Sequence, residues 1–357
     1  MIIHKNFVGG NIKVIEQSEG SVVLENELRD TAHGTDWFYF AFCVEGAEGK
    51  TVTFHFQKNR LGYFGPAVSH DLKSWHWLGT CGEDEFTYTF GEREHKVYFA
   101  HSMLYHPERF LTFAREHGLH VEALCRSRHG REVPCVFLGE GERCILLTAR
   151  HHACESTGNY VLEGFLTQWL KTPCEGYRVL CVPFVDYDGV VDGDQGKARV
   201  PRDHNRDYIA GERAIYPETE KIREFADAYG CKYGFDFHSP WHKGGVNDCA
   251  FIVHKTFEKG NRLRAFGELL EGELTEDAFR YYTKDDFPYM QGWNQPSAGF
   301  GSYMLEKEDN EMAFTLETAY FGTPDNVISQ RGMLALGEAF ARALLRYIKE
   351  KEGNINC

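Results

Sequence analysis

Apolar positions fall in short clusters through the first hundred residues and in longer, alternating blocks after that. Residues 37–44, 51–56, 86–90 and 96–100 are rich in aromatic and β-branched side chains, and each run is short enough to be one strand. Gly46 and Gly49 lie in the turn between the first two runs. Short strands at this spacing predict a β-sandwich. Trp75 and Trp77 alternate around His76 as on one face of a strand or sheet edge. Their bulk is assigned to core or interdomain packing rather than to ligand stacking.

The pattern changes after Tyr105-His106-Pro107. Helical spacing is found over 108–117, 158–170, 217–229, 257–273 and 328–351, and Pro217 suits a first helical turn. Strand-like runs fall at 135–138, 144–149, 179–185, 233–237, 250–253 and 312–316, the first starting just after Pro134. Alternating strands and helices predict an α/β domain with a mainly parallel or mixed sheet. With 357 residues there is length for two domains, and the change of pattern divides them as 1–105 and 106–357.

In α/β folds, functional groups gather at the carboxyl ends of strands. Run 144–149 leads into Arg150-His151-His152-Ala153-Cys154-Glu155, whose His-x-x-Glu brings an imidazole and a carboxylate together. Zinc takes such ligands, and a catalytic zinc usually has three from the protein. The motif alone is weak in a chain with 17 histidines, and Glu155-Ser156 also reads as an ordinary helix cap. Run 233–237 ends on His238, positioned for a third ligand, and Asp236 shares its face and can orient an imidazole. Run 312–316 ends on Glu317, and a carboxylate at such a position can move a proton to and from water. Between the first two ends, residues 186–208 form a long segment rich in glycine and charge, with little helix or strand pattern. Its Asn205-Arg206 pair offers an amide and a guanidinium fork suited to a carboxylate.

The composition, 42% hydrophobic and 14% aromatic, is that of an ordinary globular protein. A net charge of −14 excludes nucleic acid as an expected partner and argues against a broadly acidic polymer substrate. No run of 18 apolar residues is present, so no membrane partner is expected. The first residues lack a signal-peptide core, which predicts a cytoplasmic protein. Eleven scattered cysteines without a CxxC pair predict reduced thiols, Cys154 among them as a small buried residue. Nothing in the sequence fixes an oligomeric state.

Taken in order, these segments resemble the zinc metallocarboxypeptidases of the M14 family, and most of all the cytosolic carboxypeptidase branch with its amino-terminal β domain. Residues 150–155 are similar to that branch's R-x-H-P-G-E, with Ala153-Cys154 in place of Pro-Gly. Asp188-Gly189-Val190 and Asp203-His204-Asn205-Arg206-Asp207-Tyr208 resemble P-D-G-V and D-L-N-R-x-Y. Asp236-Phe237-His238 resembles D-x-H, and Thr315-Leu316-Glu317 resembles T-L/M-E. The likeness covers residues 105–350, and more loosely 37–40 and 59–77.

The resemblance implies a carboxypeptidase-like mixed sheet flanked by helices, preceded by a smaller all-β sandwich. It implies one zinc per chain held by His152, Glu155 and His238, with Glu317 as general base and then general acid. Asn205 and Arg206 would hold the terminal carboxylate of a peptide or protein substrate. The family's electrophilic arginine falls on Gly196, leaving Lys197, Arg199 or Arg202 to supply the charge, with Lys197 preferred and Arg199 second. Asn294 stands where a substrate-capping tyrosine is expected, and Tyr303 and Tyr320 read as packing residues. The alternatives are a same-fold zinc amidase acting on cell-wall peptides or acylated amino acids, and a non-catalytic peptide-binding relative. Residues 285–306 contain no Lys or Arg, which sets the expectation against a polyglutamate tail as substrate.

Overall fold

In the computed structural model, residues 1–29 and 37–353 are described. The N-terminal part is a sandwich of two sheets. One orders strands Ile2–His4, Ala41–Glu45, Lys96–Ala100, Ala67–Ser69 and His76–Trp77; the other orders Lys13–Gln17, Ser21–Glu25, Thr51–Phe56 and Glu85–Thr89. Side chains alternate across a strand, and both faces of the first sheet are used. Phe42, Val44, Val97 and Phe99 point into the sandwich with Val22, Leu24, Phe54 and Phe86. Ala41, Cys43, Tyr98 and Ala100 join the core of the α/β part. A strand buried on both faces reads as an unbroken apolar run, which is why residues 37–44 show no alternation.

The strand itself starts only at Ala41. Residues 37–40 are buried outside a ladder, and the Phe38 and Tyr39 amides donate instead to Oε1 of Gln195, at 2.8 and 3.2 Å. Trp75 and Trp77 lie between the two parts: the Trp75 amide donates to Gln330 Oε1 at 3.0 Å, and Trp77 Nε1 to Ile328 O at 2.8 Å. Among the described residues nine cysteines are free thiols, whereas Cys174 is disulfide-bonded.

The α/β part is built on seven strands: β1 (Val121–Arg126), β2 (Glu132–Leu138), β3 (Arg143–Ala149), β4 (Tyr177–Val182), β5 (Tyr233–His238), β6 (Ala250–Val253) and β7 (Met312–Thr318). Their order is β1-β2-β4-β3-β5-β7-β6. The central pairs β4-β3, β3-β5 and β5-β7 are parallel, and the outer pairings are antiparallel. The strand expected to begin after Pro134 runs through it, with Pro134 opposite Ala123 beside a register shift. A residue without an N–H is tolerated next to such an irregularity.

Helices α1 (Pro107–Glu116), α2 (Thr157–Lys171), α3 (Tyr187–Asp192), α4 (Pro217–Tyr229), α5 (Gly260–Glu273), α6 (Phe300–Leu305) and α7 (Gln330–Glu352) complete the α/β part. On one face α2 meets α7 through glycines. A Cβ on Gly337 would lie 1.9 Å from Val161 O, and one on Gly164 would lie 2.0 Å from Leu334 O. Neither backbone can yield without separating the helices. Gly337→Ala is therefore expected to lower stability by about 1–3 kcal/mol through overpacking, read as a fall in the denaturant midpoint at unchanged slope.

Candidate active site

The parallel registers bring three strand ends side by side. Ala149 of β3 pairs with Phe237 of β5, and His238 of β5 pairs with Glu317 of β7. The segment after β3 turns sharply at Arg150, whose φ of 62° lies in the left-handed region. The buried Arg150 side chain closes that turn by donating to Ala153 O at 2.6 Å, Ser156 Oγ at 2.9 Å, Asn159 Oδ1 at 3.2 Å and Tyr105 O at 3.3 Å. A hydroxyl cluster joins the start of α2 to the ends of β5 and β7. Thr157 Oγ1 is 2.6 Å from Ser239 Oγ and 3.0 Å from Thr318 Oγ1, and Thr318 Oγ1 donates to His238 O at 2.9 Å.

Glu155, fully buried, stands at the centre. His152 Nδ1 is 2.8 Å from its Oε1 and His238 Nδ1 is 2.8 Å from its Oε2. Both imidazoles thus turn Nδ1 inward and Nε2 toward a backing carboxylate: Asp203 Oδ1, 3.6 Å from His152, and Asp236 Oδ2, in close contact with His238. The three inward groups offer one ligand atom each within 4.8 Å of one another. Two imidazole nitrogens and a carboxylate oxygen backed in this way are a donor set that zinc accepts. Burial acts to raise the Glu155 pKa, but Lys197, His152 and His238 outweigh it and hold the carboxylate ionised.

Glu317 lies beside this group, 8% exposed, and its Oε2 has no hydrogen-bond partner among the described residues. Burial, opposed by His238 and reinforced by Glu155, raises its pKa. An underbonded carboxylate facing a metal-ligand set is free to take a proton from water.

The segment 186–208 holds more regular structure than its composition predicts. Asp186 caps α3 by accepting from the Gly189 amide at 3.0 Å, and Gly193 ends the helix at φ 78°. Acidic and glycine-rich residues here are helix-end chemistry, which masked the short helix. The loop then docks on the metal turn, where the Cys154 amide donates to Gln195 O at 3.1 Å. A Cβ on Gly196 would meet the Ala153 amide nitrogen at 2.4 Å, so no arginine side chain fits at that position.

The neighbouring cations diverge. Lys197 Nζ is 2.6 Å from Glu155 Oε1 and donates to Ser239 O and Pro240 O at 2.9 and 2.8 Å. Arg199 turns away to Asp186 and Asp194, at 2.6 and 3.2 Å, and Arg202 to Asp207 and Glu212, at 2.7 and 3.0 Å. Lys197 is the one of the three that reaches the metal-ligand group; Arg199 is held on the far side of the loop by its two carboxylates.

Asn205 and Arg206 sit on a short 3-10 turn, His204–Arg206. Asn205 Oδ1 accepts from the Phe300 amide at 3.1 Å, and its Nδ2 lies 3.5 Å from His238 Nε2. Arg206 is exposed, donates to Asn205 O at 3.4 Å and makes no ion pair among the described residues. The two stand at the mouth of the site. Tyr303 is bonded to Asp227 at 2.8 Å, and the buried Tyr320 hydroxyl is 3.2 Å from Cys154 Sγ, so both are fixed by packing.

One residue was not foreseen. Lys255, just past β6, donates to Asn294 Oδ1 at 3.1 Å and has no carboxylate partner among the described residues. Burial, reinforced by Arg206 and opposed by Glu317 and Asp236, pushes its pKa down to about 8. Residues 299–301 pack between it and Asn205: a Cβ on Gly299 would be 3.2 Å from Asn205 Oδ1, and one on Gly301 would be 3.4 Å from Lys255 Cγ. Asn294, at 1% exposure, also donates to His254 O and Pro288 O, so it is a bracket for Lys255.

The architecture matches that of solved metallocarboxypeptidases. A metallo-carboxypeptidase from Burkholderia cenocepacia superposes with a TM-score of 0.81 at 19% identity, over 98% of this chain and 99% of that one. One from Pseudomonas aeruginosa, solved in complex with (2-guanidinoethylmercapto)succinic acid, gives 0.79 at 19% identity, over 98% and 100%. Residues 3–101 match the family model of the cytosolic carboxypeptidase N-terminal domain. The chain thus resembles the cytosolic carboxypeptidases in its N-terminal region and solved metallocarboxypeptidases in its fold. It is 27% identical to an uncharacterized protein of Zymomonas mobilis over 256 residues, 66% of this chain and 67% of that protein. Over 312 residues, 73% of this chain, it is 20% identical to cytosolic carboxypeptidase 2 of Xenopus tropicalis, of which the match spans 30%. Among the described residues, no helix of this metallocarboxypeptidase-like chain is long and apolar enough to cross a membrane.

Proposed function

We propose that the protein is a zinc-dependent metallocarboxypeptidase that removes C-terminal residues from peptides. The observation that carries this reading is the convergence of His152, Glu155 and His238 beside the underbonded Glu317. One zinc ion held by the three ligands would supply Lewis acidity toward the scissile carbonyl and toward water. Arg206 and Asn205 bind the free carboxylate of the substrate, which limits cleavage to chain ends. Glu317 takes a proton from the attacking water and delivers it to the departing amine. Lys197 places a positive charge where the carbonyl oxygen becomes negative. Lys255, a half-buried cation with no carboxylate of its own, accepts an acidic side chain on the residue to be released. This local cation outweighs the net charge of −14. The cytosolic-type N-terminal region supports a cytoplasmic location.

Purified protein is expected to hold about one zinc per chain, as a single catalytic site of this kind does. His238→Ala is expected to lose it, by elemental analysis after dialysis. Peptides with a free C-terminus are expected to be trimmed, and their C-terminal amides to resist. Equal cleavage of the amides would overturn the carboxypeptidase reading in favour of a same-fold amidase. Zinc bound without hydrolysis of any peptide in the panel would favour a binding relative.

A further inference from the structure

His151 is fully buried beside His152, Glu155 and His238 and is not one of the three, although with Asp236 and His238 it makes a second cluster able to hold a metal. Its Nδ1 lies 2.8 Å from Asp236 Oδ1 and its Nε2 lies 2.8 Å from the Tyr208 hydroxyl. Asp236 Oδ1 also accepts from Thr148 Oγ1 at 2.8 Å, and Asp236 Oδ2 faces His238 Nε2. The β3–β5 register, which pairs Thr148 with Asp236, holds this arrangement in the sheet.

One assignment of protons satisfies Asp236, His151 and Tyr208. Asp236 is ionised and only accepts. His151 carries its proton on Nδ1, so its Nε2 lone pair takes the Tyr208 O–H. His238 carries a proton on Nε2 toward Asp236, and its Nδ1, 2.8 Å from Glu155, is the nitrogen that a bound metal would take. The rings of His151 and His238 lie nearly parallel, at 6° with centroids 5.7 Å apart, as two imidazoles gripping one carboxylate from either side.

Without His151, Asp236 Oδ1 would keep only the Thr148 hydroxyl as donor, and the carboxylate plane against His238 would be less firmly fixed. With His151, both carboxylate oxygens are pinned and the plane of the His238 ring is pinned with them. We propose that His151 is a positioning residue: through Asp236 it fixes the tautomer and ring plane that present His238 Nδ1 to the metal, and through Tyr208 it ties that ligand to the turn carrying Asn205 and Arg206. The proposal rests on the reading of His152, Glu155 and His238 as the metal site.

The test is zinc affinity by chelator competition, with the visible spectrum of the cobalt-substituted protein as a second readout. His151→Leu is expected to raise the zinc dissociation constant by about 10–100-fold, the usual consequence of losing an outer hydrogen-bond partner, and to change the cobalt spectrum. His151→Asn keeps an N–H donor toward Asp236 and is expected to recover most of the affinity. A merely structural role would lower the melting temperature without moving either metal readout in the folded protein. Unchanged affinity and spectrum in His151→Leu overturn the proposal. If that variant does not fold, Tyr208→Phe leaves His151 in place but frees its tautomer. Weaker zinc binding there supports the proposal, and wild-type binding overturns it. His152→Ala in the same titration separates the two readings. Retained tight binding in that variant sinks the assignment of the metal site, whereas its loss alongside wild-type binding in His151→Leu sinks the positioning role alone.

Discussion

Glu317→Gln is expected to reduce kcat/KM by about 10²–10⁴-fold, the range for losing a general acid–base, while zinc content stays at the wild-type level. The change keeps shape and hydrogen-bonding reach but removes the ability to accept a proton. Glu317 suits the role because of how it is held. The parallel register sets it directly beside His238, burial raises its proton affinity, and Oε2 has no hydrogen-bond partner to compete with water. A structural glutamate at a strand end would instead be satisfied by neighbouring donors, and its amide would cost little activity. Zinc analysis on the same preparation matters, because loss of metal would produce the same kinetic loss for another reason. Wild-type turnover in a zinc-loaded Glu317→Gln protein would sink the mechanism.

The convergence of these residues was legible in the sequence because each member ends or follows a strongly apolar run. Strand ends are fixed by the hydrophobic pattern, and β3, β5 and β7 deliver His152, Glu155, His238 and Glu317 to one place once they pair in parallel. The direction in which loop side chains point was not legible. Lys197 and Arg199 are two residues apart with similar sequence surroundings, yet one meets Glu155 and the other meets Asp186 and Asp194. That choice is set by Gly196 pressing against Ala153, a long-range contact with no local signature. The short strands Ile2–His4, Lys13–Gln17 and Ser21–Glu25 went unread because each is only three to five residues long and many of their positions are exposed or half-buried. The missed helices α3 and α6 span six residues each, too few to show a helical period.

Lys255 exposes a different limit, and it carries the second large prediction. Specificity was sought in residues 285–306, which contain no cation, but the cation enters from the end of β6 and is held by Asn294 of that very stretch. Replacing Lys255 by Met is expected to reduce kcat/KM for a peptide ending in Glu by about 30-fold or more. Truncating one partner of a buried, hydrogen-bonded charge pair costs about 2–5 kcal/mol, and each ~1.4 kcal/mol is tenfold. The same variant should lose little on a peptide ending in Gln or Leu, so the Glu/Gln ratio falls while the carboxylate grip of Arg206 stays. Lys255→Glu should reverse the sign and favour a C-terminal Lys. The pH dependence follows from that lowered pKa. A lysine pushed down to about 8 is charged below that pH and neutral above it. The Glu/Gln ratio of kcat/KM should therefore be flat on the acid side and fall as pH rises through about 8. Because kcat/KM reports the free enzyme, a bound carboxylate does not shift that inflection. Taking the ratio cancels every titration common to the two substrates, Glu317 included. A ratio that does not change with pH, together with a Lys255→Met variant that still prefers Glu, would remove Lys255 from the pocket and return the specificity to residues 285–306.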